Sequence, residues 1–82
     1  MALNIRYFAA LRDRMGMAEQ SVDHGAGKTG DALVAWLISR DPAALALTEP
    51  SVRLIINDEI APRSQALRDG DTIAFCPPFS GG

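Results

Sequence analysis

The sequence predicts an α+β protein in which a mixed β-sheet packs on one main helix. Residues 3–8 and 72–76 alternate between apolar and polar side chains, which is the period-two pattern of strands. Between them, residues 31–40 place apolar side chains at helical spacing. Since one helix covers only one face of a sheet, we expect a two-layer structure with the other face uncovered.

The remaining segments complete this sheet. We predict a helical turn at 9–15, strands at 18–23 and 52–57, a short helix opened by Asp41-Pro42, an edge segment at 60–62 and a helical turn at 64–68. The predicted core is Leu3, Ile5, Leu33, Trp36, Leu37, Leu54, Ile56, Ile73 and Phe75.

Length and composition exclude several classes of protein. With 82 residues and 48% hydrophobic side chains, the chain is one small globular domain. A net charge of −2 supplies no basic stripe for nucleic acid and no polybasic patch for a membrane. The single cysteine allows no internal disulfide, and the alternating N-terminus is unlike a signal peptide. We therefore expect a cytoplasmic location.

Other chemistry-bearing residues fit structural roles. Gly27-Lys28-Thr29 is like the end of a phosphate-binding loop, but the first glycine of that motif is missing, so a plain loop is expected. His24 has no neighbouring ligand for a metal, and no metal site is predicted. Acidic residues at 58–59, 69 and 71 fit turns. Cys76 lies on a strand with no histidine nearby in sequence, which favours packing over nucleophilic chemistry.

Two features are not explained by folding alone. Phe8 falls on the outward face of the first strand and Cys76 on the outward face of the last. If Ile60 joins them, the three form an apolar patch and a candidate interface.

The second feature is the tail, Pro77-Pro78-Phe79-Ser80-Gly81-Gly82. A frayed terminus is one interpretation. In the other, the prolines hold the tail away from the domain, Phe79 anchors it, and the two glycines enter a narrow channel. Six extended residues reach about 20 Å, enough to bring the terminal carboxylate into another protein. We therefore divide the chain into a domain, 1–76, and a tail, 77–82.

These residues resemble a known family. Residues 6–12, Arg-Tyr-Phe-Ala-Ala-Leu-Arg, and residues 66–82, which end in Pro-Pro-Phe-Ser-Gly-Gly, are similar to the small subunit of molybdopterin synthase. The resemblance extends from Leu3 to Gly82. A proline pair four residues before Gly-Gly, after an Asp-Gly-Asp turn and an apolar strand, makes it specific.

The resemblance implies a β-grasp, ubiquitin-like fold and a cycle on the terminal carboxylate. An adenylyltransferase similar to ubiquitin-activating enzymes would adenylate Gly82 with ATP, and a sulfurtransferase system would convert the adenylate into a thiocarboxylate. The large catalytic subunit of molybdopterin synthase would then receive the tail, and the sulfur would pass to cyclic pyranopterin monophosphate. The carrier would bind no cofactor, would not be an enzyme alone, and would work in a heterotetramer of two small and two large subunits.

The resemblance also implies residue roles. Gly82 would carry the sulfur, Gly81 would permit entry to the channel, and Phe8, Ile60 and Cys76 would contact the large subunit. Cys76 departs from the bulky aromatic residue common in relatives, and Phe79 replaces a residue that is often a smaller aliphatic. A thiamine-pathway sulfur carrier, or a ubiquitin-like binding module with an idle tail, remain the alternatives.

Overall fold

A five-stranded mixed sheet forms one layer of the protein. The computed structural model describes residues 2–77, and the strand order is β2-β1-β5-β3-β4. The strands are β1 (Ala2–Tyr7), β2 (Glu19–Asp23), β3 (Arg53–Ile56), β4 (Glu59–Ala61) and β5 (Thr72–Cys76). β1 and β5 pair in parallel at the centre of the sheet, and every other pairing is antiparallel.

Helices form the second layer. α1 (Ala10–Met15) ends at Gly16, whose positive φ of 72° is the left-handed conformation typical of a helix end. α2 (Gly30–Arg40) begins where Thr29 Oγ1 accepts a hydrogen bond from the Ala32 amide at 3.2 Å. Two 3-10 helices, His24–Ala26 and Pro42–Thr48, flank α2. The sequence therefore predicted the main helix and the break at Asp41-Pro42 correctly.

The core lies between the helical layer and one face of the sheet, here called the inner face. Leu3, Ile5 and Tyr7 project from β1 into it, and each is at most 2% exposed. The Tyr7 ring stacks on Phe75 with centroids 6.0 Å apart, and its hydroxyl donates to Gln20 Oε1 at 3.0 Å. Burial, with a smaller contribution from Asp41, raises the pKa of Tyr7 to about 12, so the phenol stays neutral.

Most of the predicted core is confirmed. The fully buried members are Leu3, Ile5, Leu33, Leu37, Leu54, Ile73 and Phe75. Trp36 and Ile56 are only partly buried and pack against the edge of this cluster. Arg40, one turn after Trp36, places its guanidinium 4.8 Å from the centre of the Trp36 ring, a contact that needs the ring face accessible.

The helical turn predicted at residues 64–68 is wrong. Ala66 instead forms an antiparallel bridge with Thr29. The Leu67 amide donates to the Lys28 carbonyl at 2.8 Å, and the Gly30 amide donates to Gln65 at 3.2 Å. The first amides of a helix have no carbonyl partner within the helix. The extended segment before β5 supplies carbonyls to these amides of α2, and the resulting hydrogen bonds stabilise it.

Close packing explains the glycines in and after Gly27-Lys28-Thr29, the segment that is like the end of a phosphate-binding loop. A Cβ on Gly27 would lie 2.6 Å from the Leu33 Cα, and one on Gly30 would lie 2.7 Å from the Arg63 carbonyl oxygen. Both positions therefore require glycine for close packing around the start of α2.

Leu37→Ala tests the position of α2 on the sheet. Leu37 is 2% exposed, so its truncation should lower the free energy of unfolding by about 2–5 kcal/mol. Leu45, which is 61% exposed, provides the matched control: Leu45→Ala should change stability by less than about 0.5 kcal/mol. Urea unfolding followed by circular dichroism measures both, and equal losses would contradict the assigned helix face.

Asp58→Gly tests the turn between β3 and β4. Asn57 and Asp58 have φ values of 49° and 70°, and this two-residue hairpin has the positive φ angles of a type I′ turn, which favours Asn-Gly. The substitution should stabilise the protein by up to about 1 kcal/mol, because relief of the left-handed penalty of roughly 1–2 kcal/mol outweighs the entropic cost of glycine, about 0.5–1 kcal/mol. Asp13→Gly, in α1, should instead destabilise it by about 0.5–1 kcal/mol. In thermal unfolding, the midpoint temperature should rise for Asp58→Gly and fall for Asp13→Gly.

Candidate functional site

The residues predicted to bind a partner lie on the outer face of the sheet, opposite the helices. Arg6 pairs with Ala74 and Tyr7 with Phe75, so Phe8 lies level with Cys76 at the end of the central strands. The Phe8 amide donates to the Phe75 carbonyl at 3.3 Å, which extends the pairing past β1. Phe8 is 44% exposed and Cys76 partly so.

Ile60 joins this surface through β3. Ile55 pairs with Ala74 on one side and with Ile60 on the other, and paired positions in a sheet project to the same face. Ile60 is 69% exposed, which is the largest exposure of any large hydrophobic side chain in residues 2–77. The members of this surface, here called the outer patch, are Phe8, Ile55, Ile60, Ala74 and Cys76.

Ile55 and Ala74 were missed as members of the patch. The alternation that places Val52, Leu54 and Ile56 on the inner face also places Ile55 outward, so the signal was present in the sequence. What the sequence did not show was that β5 lies between β1 and β3 and so joins Phe8 to Ile60.

A strained turn holds Phe8 on this face. Leu11 donates its amide to the Phe8 carbonyl at 3.1 Å, closing a turn whose second residue, Ala9, has φ 52° and ψ −127°. These angles match the first central position of a type II′ turn, which strongly favours glycine. Tyr7 before the turn and Leu11 after it are buried in the core, which fixes the turn so that Phe8 projects outward.

The chemistry of Cys76 suits contact rather than catalysis. Burial raises the pKa of the Cys76 thiol, so the reactive thiolate is disfavoured at neutral pH. Cys76 pairs with Arg53 in the adjacent strand, and neither histidine nor carboxylate forms a hydrogen bond with it within residues 2–77. The thiol therefore acts as a small apolar side chain.

The other polar residues considered from the sequence make structural contacts. His24 Nε2 lies 2.9 Å from the Leu67 carbonyl oxygen and joins the loop before α2 to the segment before β5. Asp71 accepts from the Arg68 amide at 2.8 Å and from Asn57 Nδ2 at 2.9 Å. These bonds, with the Arg68 amide first, hold the pKa of Asp71 below its usual value. Turns form at residues 57–58 and 69–70 as predicted, whereas Glu59 is the first residue of β4.

Residues 2–77 contain neither a metal-binding cluster nor a membrane-spanning helix. No three histidine, cysteine or acidic side chains come together as a set that could hold a metal ion. No helix in that part of the chain combines the length and apolarity needed to cross a membrane.

The outer patch reaches the point where the tail begins. Cys76 ends β5 and is followed by Pro77, and these two residues are called the tail root below. Of the predicted site residues, Pro78, Phe79, Ser80, Gly81 and Gly82 lie outside the described part of the chain. Their roles, and the boundary between domain and tail after residue 76, stay predictions.

Comparison with known proteins identifies the family. The model of the ThiS family matches residues 5–82. The chain belongs to the ThiS family. The chain is 34% identical to the molybdopterin synthase sulfur carrier subunit of Chlamydomonas reinhardtii, over all of both chains. It is 38% identical to the protein of the same name from Haemophilus influenzae, over 98% of this chain and 99% of that one. The family resemblance found in the sequence is therefore confirmed.

Solved structures confirm the fold. SAMP1 from Haloferax volcanii superposes with a TM-score of 0.85 at 25% identity, covering both chains completely. The complex of subunits 1 and 2 of the molybdopterin-converting factor from Helicobacter pylori contains a chain with a TM-score of 0.69 at 22% identity, again with complete coverage. Urm1 from Trypanosoma brucei gives 0.73 at 16% identity, with 99% and 95% covered. The ThiS-family chain thus has the ubiquitin-like β-grasp fold.

Proposed function

We propose that this protein is the sulfur-carrier subunit of a molybdopterin synthase. The observation that supports this best is the outer patch: Phe8, Ile60 and Cys76, which are distant in sequence, lie on one face of the sheet, and Cys76 forms part of the tail root. The full-length similarity to sulfur carrier subunits, at 34% and 38% identity, supports the same role.

The reacting group in this proposal is the carboxylate of Gly82. A carboxylate is a poor electrophile, so an adenylyltransferase like ubiquitin-activating enzymes first transfers AMP to it from ATP, and pyrophosphate leaves. A sulfurtransferase system then supplies the sulfur that displaces AMP and leaves a thiocarboxylate. The domain supplies no catalytic side chain to these steps and presents the tail to the active sites of its partners.

The outer patch gives the carrier a surface for the large catalytic subunit. An apolar sheet face with an exposed aromatic ring at one end and an exposed isoleucine at the other is typical of a surface that a partner covers. Docking there leaves the tail root at the edge of the interface, from which residues 78–82 extend into the partner. Two such carriers and two large subunits form the working heterotetramer, and the sulfur passes to cyclic pyranopterin monophosphate.

Phe8→Ala tests the docking surface. Loss of an aromatic anchor should weaken binding to the large subunit by about 1–3 kcal/mol, or roughly 5- to 150-fold in Kd. The fold should be intact, because Phe8 lies outside the core. Leu45→Ala removes an exposed apolar side chain from the 3-10 helix Pro42–Thr48 and should leave the affinity unchanged. Calorimetry with an unchanged Kd for Phe8→Ala would remove Phe8 from the interface.

Deletion of Gly82 tests the chemistry. The shortened tail withdraws the terminal carboxylate by about 3.3 Å, and a misplacement of about 1 Å can already cost a hundredfold in rate. The truncated protein should fold and bind the large subunit, yet gain no sulfur from the activating enzyme, ATP and a sulfur donor. One appended alanine, and Gly81→Leu, should fail in the same way.

Intact mass is the measurement for these tail variants. The full-length protein should become heavier by the difference between one sulfur and one oxygen atom. Normal thiocarboxylation and molybdopterin formation without Gly82 would contradict the carrier mechanism. A thiocarboxylate that supports thiamine thiazole formation instead would identify the thiamine-pathway alternative, and an idle tail would identify a binding module.

A further inference from the structure

The arginines of this protein divide into engaged and unengaged side chains. Arg6 Nε contacts Glu19 Oε1 at 3.2 Å, and Arg40 lies over the ring of Trp36. Arg63 donates to two backbone carbonyls at 3.0 Å each. The side chains of the other four, Arg12, Arg14, Arg53 and Arg68, have no hydrogen bond or ion pair with any residue in the range 2–77, and all four are exposed.

Two of the unengaged arginines, Arg14 and Arg53, flank the tail root. Arg53 pairs with Cys76 and lies on the outer face, since Leu54 beside it is buried on the inner face. Arg14 lines a groove on the helical side of the sheet together with Val52 and Pro77. The two guanidinium groups therefore stand on opposite sides of the point where the tail leaves the domain.

Few carboxylates offset these two charges. Glu49 lines the same groove as Arg14, and Asp13 precedes Arg14 in α1, but neither forms an ion pair with it within 4.0 Å. On the outer face the Arg6–Glu19 pair is neutral as a unit. Two positive charges thus remain beside the tail root of a chain whose net charge is −2.

We propose that Arg14 and Arg53 form a two-point electrostatic clamp that docks on an acidic rim around the partner's tail-binding channel. This inference rests on the proposed function and adds the chemistry of the partner: the large subunit presents aspartate or glutamate side chains on both sides of the channel mouth. The clamp aligns the tail root with the channel before the outer patch is fully seated.

Loss of water from Arg53 on docking favours carboxylates as the partner's contact groups. Arg53 is continuous with the outer patch, so docking of Phe8 and Cys76 on a partner also removes water from its guanidinium. An arginine pressed against an apolar or basic surface would lose hydration without compensation. A carboxylate compensates this loss with charge-assisted hydrogen bonds, and at longer range it steers the encounter.

Charge reversal of the clamp tests the inference. The double variant Arg14→Glu/Arg53→Glu should associate with the large subunit at least about tenfold more slowly at low salt, within the range that electrostatic steering affords. The dependence of the association rate on ionic strength should flatten or change sign. Biolayer interferometry of the full-length carrier over the immobilised large subunit, from low to high salt, measures both.

Two controls isolate the position and sign of the charges. Lys28→Glu makes the same charge change per site in the loop that pairs with Leu67, near the opposite end of β5 from the tail root. It should alter the association rate by less than about twofold at about 0.15 M salt, where the Debye length of about 8 Å is shorter than β5. Arg14→Lys/Arg53→Lys keeps both charges and should retain the wild-type dependence on salt.

The outcomes separate this inference from the function on which it rests. Slow association of the reversed clamp, with normal association of Lys28→Glu and the lysine variant, supports the acidic rim. An unchanged rate and salt dependence for the reversed clamp overturns it, and the proposed docking surface still stands if Phe8→Ala weakens binding. Circular dichroism of each variant verifies its fold. If the double variant misfolds, the Arg53→Glu single variant replaces it and should also associate more slowly at low salt, with a flatter dependence on ionic strength.

Discussion

The parallel pairing of β1 with β5 is the constraint on which the rest of this structure depends. It joins the two ends of the chain at the centre of the sheet, with Ile5 beside Ile73 and Tyr7 beside Phe75. All four side chains are buried on the inner face of the sheet, in the same core cluster as the buried residues of α2. Because parallel strands end at the same edge, the same pairing brings Phe8 level with Cys76. The position of the interface and the exit of the tail thus follow from one pairing.

A second set of contacts fixes the path of the segment before β5. The segment before β5 donates and accepts hydrogen bonds with residues 28–31, and Gly70 donates its amide to the Ala2 carbonyl at 2.9 Å. Asn57 accepts from the Thr72 amide at 3.0 Å and so ties the β3–β4 turn to the first residue of β5. These contacts set the register of β5, and the register decides which of its residues face outward.

The sequence predicted what depends on local pattern and missed what depends on distant partners. Alternation located β1 and β5, helical spacing located α2, and Asp41-Pro42 marked the start of the short helix that follows it. Residues 64–68 have no such pattern, and their conformation is set by backbone bonds to Lys28 and Gly30, far away in sequence. The strain at Ala9 was likewise invisible, because alanine gives no sequence signal for a positive φ. For the candidate site, the family resemblance and the outward alternation agreed on Phe8 and Cys76, whereas Ile55 required the strand order.

The composition of the outer patch suits a carrier that must leave each partner after use. Phe8 and Ile60 are large and exposed at its ends, but the central strand contributes only Ala74 and Cys76, which are small. An interface with small side chains at its centre buries less apolar surface than one with an aromatic ring there. Because the stability of the complex increases with the apolar area removed from water, such a complex is weaker. Under the proposed function, the same surface faces an activating enzyme and a large subunit in turn. Charges beside the tail root would then contribute to the rate of each encounter, which they can raise without slowing release to the same extent.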